Sequence, residues 1–225
     1  MSRCVLVAFL FTAFASADDL DKNVLAKHGA KVASLPDGRY QIGNVIIDAK
    51  RRSIELQGRV NMQAGLVELF ACTPTGKTHE SVVVLDVQPL HLQLALLALG
   101  LNPGRNPGVP KEAGDDRKPG DIVEIHVSWK AGDKKREVRA EETIYDKPQG
   151  RTMAKTDWVF LGSQAWDGAF AADEGGSLIT TYHDPLAIIE NPLDTVNDDT
   201  LYFANTSVVP PVGTKVTVTI SSAKR

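Results

Sequence analysis

Five consecutive residues, Lys77-Thr78-His79-Glu80-Ser81, place an ammonium, an imidazole, a carboxylate and two hydroxyls at the start of a predicted strand. A phosphate-binding loop is excluded here, because that motif needs an upstream glycine and must open a helix. His79 and Ser81 would share a strand face, as a base and nucleophile could, but triads are assembled across a fold. His79 and Glu80 supply at most two metal ligands. The segment could equally be a structural turn that binds no ligand. Its charged side chains would then be partners for one another or for neighbouring loops, since buried charges need partners.

The C-terminal third is acidic and lacks compensating cations. No lysine or arginine occurs between Lys155 and Lys215. Asp194, Asp198 and Asp199 lie there in one short segment and are the candidate ligands for a calcium ion, although their spacing does not match the EF-hand loop. Turn chemistry, in which Asp and Asn bond their own backbone, explains the same segment without a metal and is favoured.

Composition limits the partners of the chain. The formal net charge is −3 at pH 7, which disfavours nucleic-acid binding, since such domains carry basic surfaces. Cys4 and Cys72 are the only cysteines. We expect Cys72 to be buried in a strand, as most free cysteines are.

Residues 1–17 have the pattern of a cleavable secretory leader. A basic Arg3 precedes an uncharged apolar segment, which ends in Ala15-Ser16-Ala17. The apolar segment is shorter than the roughly 20 residues that span a bilayer. We therefore expect a periplasmic or extracellular protein with no transmembrane segment after cleavage. Residues 18–38 are expected to be a loosely ordered N-terminal segment, followed by a single β-rich domain over 39–225.

The rest of the chain alternates apolar runs with turn residues. About ten short strands are predicted, at 40–48, 53–60, 66–73, 79–86, 121–129, 136–144, 158–163, 177–183, 200–205 and 215–221. One helix is predicted at about 89–99, with Pro89 at its start and Gly100 just past its end. It is apolar on nearly every face and should be buried. The fold class is α+β and mainly β: an antiparallel sandwich or open barrel with one buried helix.

A long loop at 102–120 is rich in proline and glycine. Loops of this length are functional or mobile. The strand at 79–86 leads away from the Lys77–Ser81 segment, and the helix leads back over a similar distance. We therefore expect the loop to lie beside Lys77–Ser81 and to form a mouth with it.

Several segments together resemble the YdjY-type domain of exported bacterial proteins. These are Val60-Asn61-Met62, Gly76–Ser81, Ala95–Leu101, Trp158–Ser163, Glu190-Asn191-Pro192 and Asp198–Tyr202. The resemblance runs from about Gly58 to Ile220, and Gly76–Ser81 is its most specific part. It implies no particular activity. Some relatives carry cysteine clusters for iron–sulfur centres, but such a centre needs about four thiolates. The sequence past residue 17 has one, so no iron–sulfur cluster is expected.

No complete catalytic or metal-ligand set occurs at a recognised spacing. The sequence thus favours an exported, non-catalytic binding or assembly domain for an unknown ligand or cell-envelope partner. Its predicted ligand-binding residues are Lys77, Thr78, His79, Glu80 and Ser81, and no cofactor is expected beyond the calcium candidate. The alternative is a metal-assisted hydrolase using His79, Glu80 and acidic residues of the C-terminal third.

Overall fold

A computed structural model describes residues 31–163, 165–166 and 169–223. The predicted leader at 1–17, and the segment that follows it as far as residue 30, lie outside the described residues. The part of the 18–38 segment that is described contains a short strand, Val32–Ser34, paired with Tyr40–Ile42.

Strand is the main regular structure of the chain, at 39% against 14% for helix. In chain order the strands are β1 (Val32–Ser34), β2 (Tyr40–Ile42), β3 (Val45–Asp48), β4 (Ser53–Val60), β5 (Leu69–Cys72), β6 (Ser81–Leu85), β7 (Ile122–Ala131), β8 (Lys134–Arg139), β9 (Ile144–Asp146), β10 (Arg151–Thr152), β11 (Trp158–Phe160), β12 (Ala165–Trp166), β13 (Ala169–Phe170), β14 (Ser177–Thr180), β15 (Ile189–Glu190), β16 (Tyr202–Ala204) and β17 (Lys215–Ser222). The α-helices are α1 (Pro89–Ala98) and α2 (Ala171–Gly175), and 3₁₀ turns cover Thr78–Glu80, Ala140–Thr143 and Asp194–Asn197.

Eight strands form a closed barrel in the order β4-β17-β7-β11-β15-β14-β5-β6. The barrel closes because β6, which pairs with β5 in parallel, also pairs with β4 in antiparallel fashion. The mainly β prediction with one buried helix is confirmed, and the barrel is closed rather than open. Closure leaves none of these eight strands at a free edge of the barrel.

The barrel encloses an apolar core. Its largest fully buried side chains include Trp158, Phe70 and Phe160, and the rings of Phe70 and Trp158 are 6.4 Å apart between centroids. Each such side chain stabilises the fold by about 2–3 kcal/mol through removal of apolar surface from water. Cys72 is buried and free, as predicted.

The helix predicted at 89–99 is confirmed as α1. Its end is a Schellman motif: Gly100 has φ +78°, its N–H donates to the Leu97 carbonyl, and the Leu101 N–H donates to the Leu96 carbonyl. A left-handed residue is needed at this point, which explains the glycine. The motif directs the chain into the 102–120 loop.

Several boundaries differ from those predicted. Residues 40–48 form two strands rather than one, because the chain turns at Gly43, which has φ +53°. The hairpin predicted after residue 121 is confirmed as β7–β8, with a two-residue connection. Its second strand ends at Arg139 because residues 140–143 turn into a 3₁₀ helix. Among the described residues, no helix is long and apolar enough to cross a membrane.

Candidate functional site

One end of the barrel gathers the polar groups. Glu190 at the end of β15 pairs with Thr180, Thr180 pairs with Leu69, and Leu69 pairs with Ser81. These four residues therefore lie at one level of the barrel, where β14 and β15 end and β5 and β6 begin. We call this level the polar end.

The Lys77–Ser81 segment lies at the polar end and forms a tightly bonded turn. The Ser81 hydroxyl donates to the Lys77 carbonyl over 2.9 Å. The Asn61 side-chain amide donates to the carbonyls of Thr78 and Ser81, over 2.5 and 2.8 Å. Ser81 is buried and its hydroxyl is engaged, so it does not pair with His79 as a nucleophile.

The charged side chains of this turn differ in their exposure. His79 is 78% exposed. Glu80 is only 14% exposed and lies 3.6 Å from the Lys77 ammonium, which also lies 3.7 Å from Glu68. Burial raises the pKa of Glu68, and the charges of Glu80 and, more weakly, Asp199 raise it further. The turn thus presents a lysine and two carboxylates in mutual contact, with the exposed His79 imidazole at the rim, where Nε2 lies 3.6 Å from the Glu80 carboxylate.

The 102–120 loop does not contact the Lys77–Ser81 turn through any hydrogen bond or ion pair between described residues. Its neck is clamped instead to the β7 and β11 side of the barrel: the Gly104 N–H donates to Phe160, and the Asn102 N–H donates to the Asp121 carboxylate. Further on, Gly108 packs so closely on the Pro192 carbonyl that a Cβ would lie 2.4 Å from the oxygen. The loop therefore forms its mouth on the C-terminal third.

Glu190 lies buried behind that mouth and is bonded to residues that line it. Its carboxylate is fully buried, yet it accepts hydrogen bonds from the Asn106 side-chain amide, from Nδ1 of His183 and from the Asp184 N–H. Asn106 belongs to the loop, whereas His183 and Asp184 follow β14. One carboxylate on β15 thus holds the loop and the segment after β14. Its hydrogen bonds compensate for the desolvation of its charge.

His183 connects the buried carboxylate to solvent. Its side chain is 37% exposed, and Nδ1 lies 3.0 Å from Oε1 of Glu190. The hydrogen bond to Glu190 raises the pKa of His183 above its usual value, and the charges of Glu190, Asp184 and Glu112 act in the same direction. The ring is therefore oriented and biased towards its protonated form.

A cavity of about 240 Å³ opens between the loop and His183. Its charged lining consists of Arg105, Lys111, Glu112, Asp115, Arg117 and His183. The remaining wall combines Gly104, Asn106 and Gly162 with the apolar side chains of Val109, Pro110, Leu161 and Pro185. The cavity is therefore more polar than most small-ligand sites, and a ligand that fits it should itself carry polar or charged groups.

The family model described as the YdjY domain matches residues 45–221. The chain belongs to the YdjY-domain family. The match includes both the turn and the cavity of this YdjY domain. No curated protein and no solved structure matches the chain significantly.

The calcium candidates of the YdjY domain are engaged in turn structure. Asp194 and Asn197 bound a 3₁₀ turn, and the Asp198 carboxylate accepts from both the N–H and the hydroxyl of Thr200. Within the described ranges, no group of three or more His, Cys, Asp or Glu side chains is arranged to hold a metal ion.

The residues that build the cavity were not among the predicted site residues. His183-Asp184 precedes Pro185, a sequence typical of a turn, while Glu190-Asn191 served only to support the resemblance. Two features of the sequence could have pointed to them. One is the pair of polar dipeptides, His183-Asp184 and Glu190-Asn191, and the other is the 102–120 loop with its cations Arg105, Lys111, Arg117 and Lys118.

Proposed function

We propose that this chain is an exported, non-catalytic binding domain that holds a small ligand in the cavity between the 102–120 loop and His183. The observation that carries the proposal is Glu190, a fully buried carboxylate bonded to Asn106, His183 and Asp184. A fixed cavity lowers the entropic penalty of binding, because its side chains are already ordered.

The described lining favours binding over covalent chemistry. It offers one imidazole and three cationic side chains, but no hydroxyl or thiol side chain. His183 could act as a general acid, yet the nucleophiles that it would most simply activate, a serine, threonine or cysteine side chain, are not among the described residues that line the cavity. The Lys77–Ser81 turn is a less suitable site, since Ser81 is buried and Lys77 is paired with Glu68 and Glu80.

A cavity-filling variant tests the proposal. Val109 lines the cavity and is partly exposed, so Val109→Trp should fill the space without unfolding the domain. Val212→Trp is the matched control, because Val212 is 62% exposed and does not line the cavity. Fragments of mixed charge are screened by ligand-observed NMR against the three proteins.

We expect fragments that bind the wild type and Val212→Trp but not Val109→Trp. If every bound fragment is retained by Val109→Trp, or if none binds at all, the proposal is wrong. Metal analysis of the purified protein addresses the metal-assisted hydrolase: stoichiometric zinc, iron or manganese would favour that alternative.

Export is part of the proposal and rests on residues 1–17. Cleavage after Ala17 would leave Asp18 as the N-terminus. The mass of the protein recovered from the cell envelope or medium measures this directly. A mass that still includes Arg3 would contradict export by a cleaved leader.

A further inference from the structure

The cavity lies where the 102–120 loop meets the acidic C-terminal third. The loop carries four cations, Arg105, Lys111, Arg117 and Lys118, whereas no lysine or arginine occurs between Lys155 and Lys215. The loop packs on that acidic third through the Asn106–Glu190 hydrogen bond and through the Asn197 amide, which donates to the Gly108 carbonyl. These two amide hydrogen bonds hold the loop against the acidic third and bring its cations to the cavity.

The loop cations differ in how far they are neutralised. Arg117 donates from Nε and one terminal nitrogen to the Asp115 carboxylate, over 2.9 and 2.8 Å. Lys111 lies 3.6 Å from Asp116. Among the described residues, no hydrogen bond or ion pair engages the Arg105 guanidinium. Arg105 therefore retains its charge for a ligand on one side of the cavity.

His183 supplies the second donor. Nδ1 is held by Glu190, and no hydrogen bond between described residues engages Nε2. In the neutral ring with its proton on Nδ1, Nε2 is only an acceptor, whereas in the protonated ring it donates. The charged groups around the ring are Glu190, Asp184 and Glu112, which stabilise the protonated form, and across the cavity Arg105, Lys111, Arg117 and Asp115.

We infer that the cavity recognises a small molecule through an anionic oxygen group, a carboxylate or a phosphate, contacted by protonated His183 and by Arg105. This inference rests on the proposed function and names the ligand class of the same site. Charge-assisted hydrogen bonds from arginine and imidazolium to such oxygens are among the strongest in proteins. The volume of about 240 Å³ fits a small molecule or a single headgroup, and Val109, Leu161 and Pro185 would contact its apolar part.

Binding and protonation are then coupled. An anion that accepts from Nε2 binds the protonated ring, so it should raise the pKa of His183, and its affinity should fall as the pH rises past that pKa. A ligand held only by Arg105 would act on His183 through its charge alone, so both effects should be weaker. The coupling distinguishes the proposed site from unspecific attraction to surface cations.

The test follows the His183 ring Cε1–Hε1 NMR signal at low ionic strength. Inorganic phosphate and succinate are the two anionic probes, choline is the cationic probe and glucose the neutral one. We expect a saturable shift of His183 with at least one anion, the stronger anion identifying phosphate or carboxylate, and no shift of His126 on β7. Arg105→Gln should weaken binding about tenfold, as expected for loss of one charge-assisted contact. Arg151→Gln, an exposed arginine outside the cavity, should not.

The outcomes separate this inference from the function on which it rests. If neither anion shifts His183 while neutral or cationic fragments bind in a manner lost in Val109→Trp, the anion inference is wrong and the binding function stands. Equal weakening by Arg105→Gln and Arg151→Gln would also overturn the inference, because it would indicate general surface attraction. If no fragment of any charge binds, both are wrong.

Discussion

Nδ1 of His183 lies 3.0 Å from Oε1 of Glu190, so a partly exposed imidazole is held by a carboxylate that has no contact with solvent. The two residues are seven positions apart and lie at the ends of neighbouring parallel strands. Because the Asn106 amide contacts the same carboxylate, this relationship also fixes where the long loop lies.

Loss of the buried carboxylate should destabilise the domain. Glu190→Ala removes the acceptor for Asn106, His183 and the Asp184 N–H, and leaves buried donors unpaired. We expect the free energy of unfolding to fall by about 3 kcal/mol, as for other broken buried pairs. Urea unfolding measures the change, and Glu174→Ala at an exposed site should shift it by less than about 0.5 kcal/mol. Similar losses for both variants would show that Glu190 does not organise this end of the barrel.

Stability should depend on the charge of His183. The pKa of His183 is raised above 6.5 in the folded protein, first by its hydrogen bond to Glu190 and then by Glu190, Asp184 and Glu112 as charges. The stability that protonated His183 adds to the fold is therefore fully present below about pH 6.5. It is lost as the pH rises through the pKa of His183 in the folded protein. Because the ring is partly exposed, solvent screens the effect and it should be small.

Comparison with His183→Gln measures that contribution. The difference in unfolding free energy between wild type and variant should shrink as the pH rises above neutrality. Titration of the His183 NMR signal in Glu190→Gln should show its pKa returning towards the usual value. If the difference instead grows with pH, protonated His183 does not stabilise the fold and the prediction is wrong.

Glu68 should behave as a carboxylate that the fold disfavours at neutral pH. Burial and then the charge of Glu80 raise its pKa above 4.5, with Lys77 opposing. The stability associated with protonated Glu68 is fully present below about pH 4.5. It is lost as the pH rises through the pKa of Glu68 in the folded protein. Glu68→Gln should therefore increase the free energy of unfolding at pH 7 relative to wild type, and have less effect near pH 4. Unfolding free energies are measured for both proteins at the two pH values, with Glu174→Gln, at an exposed position, as the control.

His79→Ala should change the free energy of unfolding by no more than about 1 kcal/mol, because the side chain is 78% exposed. A large loss would show that the turn depends on His79 in a way its exposure does not explain. A small loss is expected whether or not His79 binds a ligand, so binding must be measured as well. If the cavity is the site, fragments lost in Val109→Trp should still bind His79→Ala.

Cys72 should resist a bulky thiol reagent in the native protein and react after denaturation. Its side chain is fully buried in β5, and burial also raises the pKa of the thiol, which lowers the fraction of reactive thiolate. Absorbance of the released reagent in native buffer and in denaturant measures the two rates. Rapid labelling of the native protein would mean that β5 opens or is exposed.

The sequence by itself was sufficient to predict the elements whose ends or alternation are marked by neighbouring residues. Helix α1 was predictable because Pro89 and Gly100 each suit one helix end, and the hairpin β7–β8 because two alternating runs flank a short turn. Strands of two or three residues, such as β15, carry no periodic pattern that could mark them. They form because neighbouring strands of the barrel supply their hydrogen bonds.

The residues of the candidate site required the tertiary structure. The sequence identified the long loop and predicted that it would cover a polar group, but it chose Lys77–Ser81 as that group from strand and helix lengths alone. Lengths give a distance along one direction, whereas the side of the barrel that the loop reaches depends on strand order. Pairing of β11 with both β7 and β15 brings the loop to Glu190, and only the closed barrel places Asn106, His183 and Glu190 within hydrogen-bonding distance.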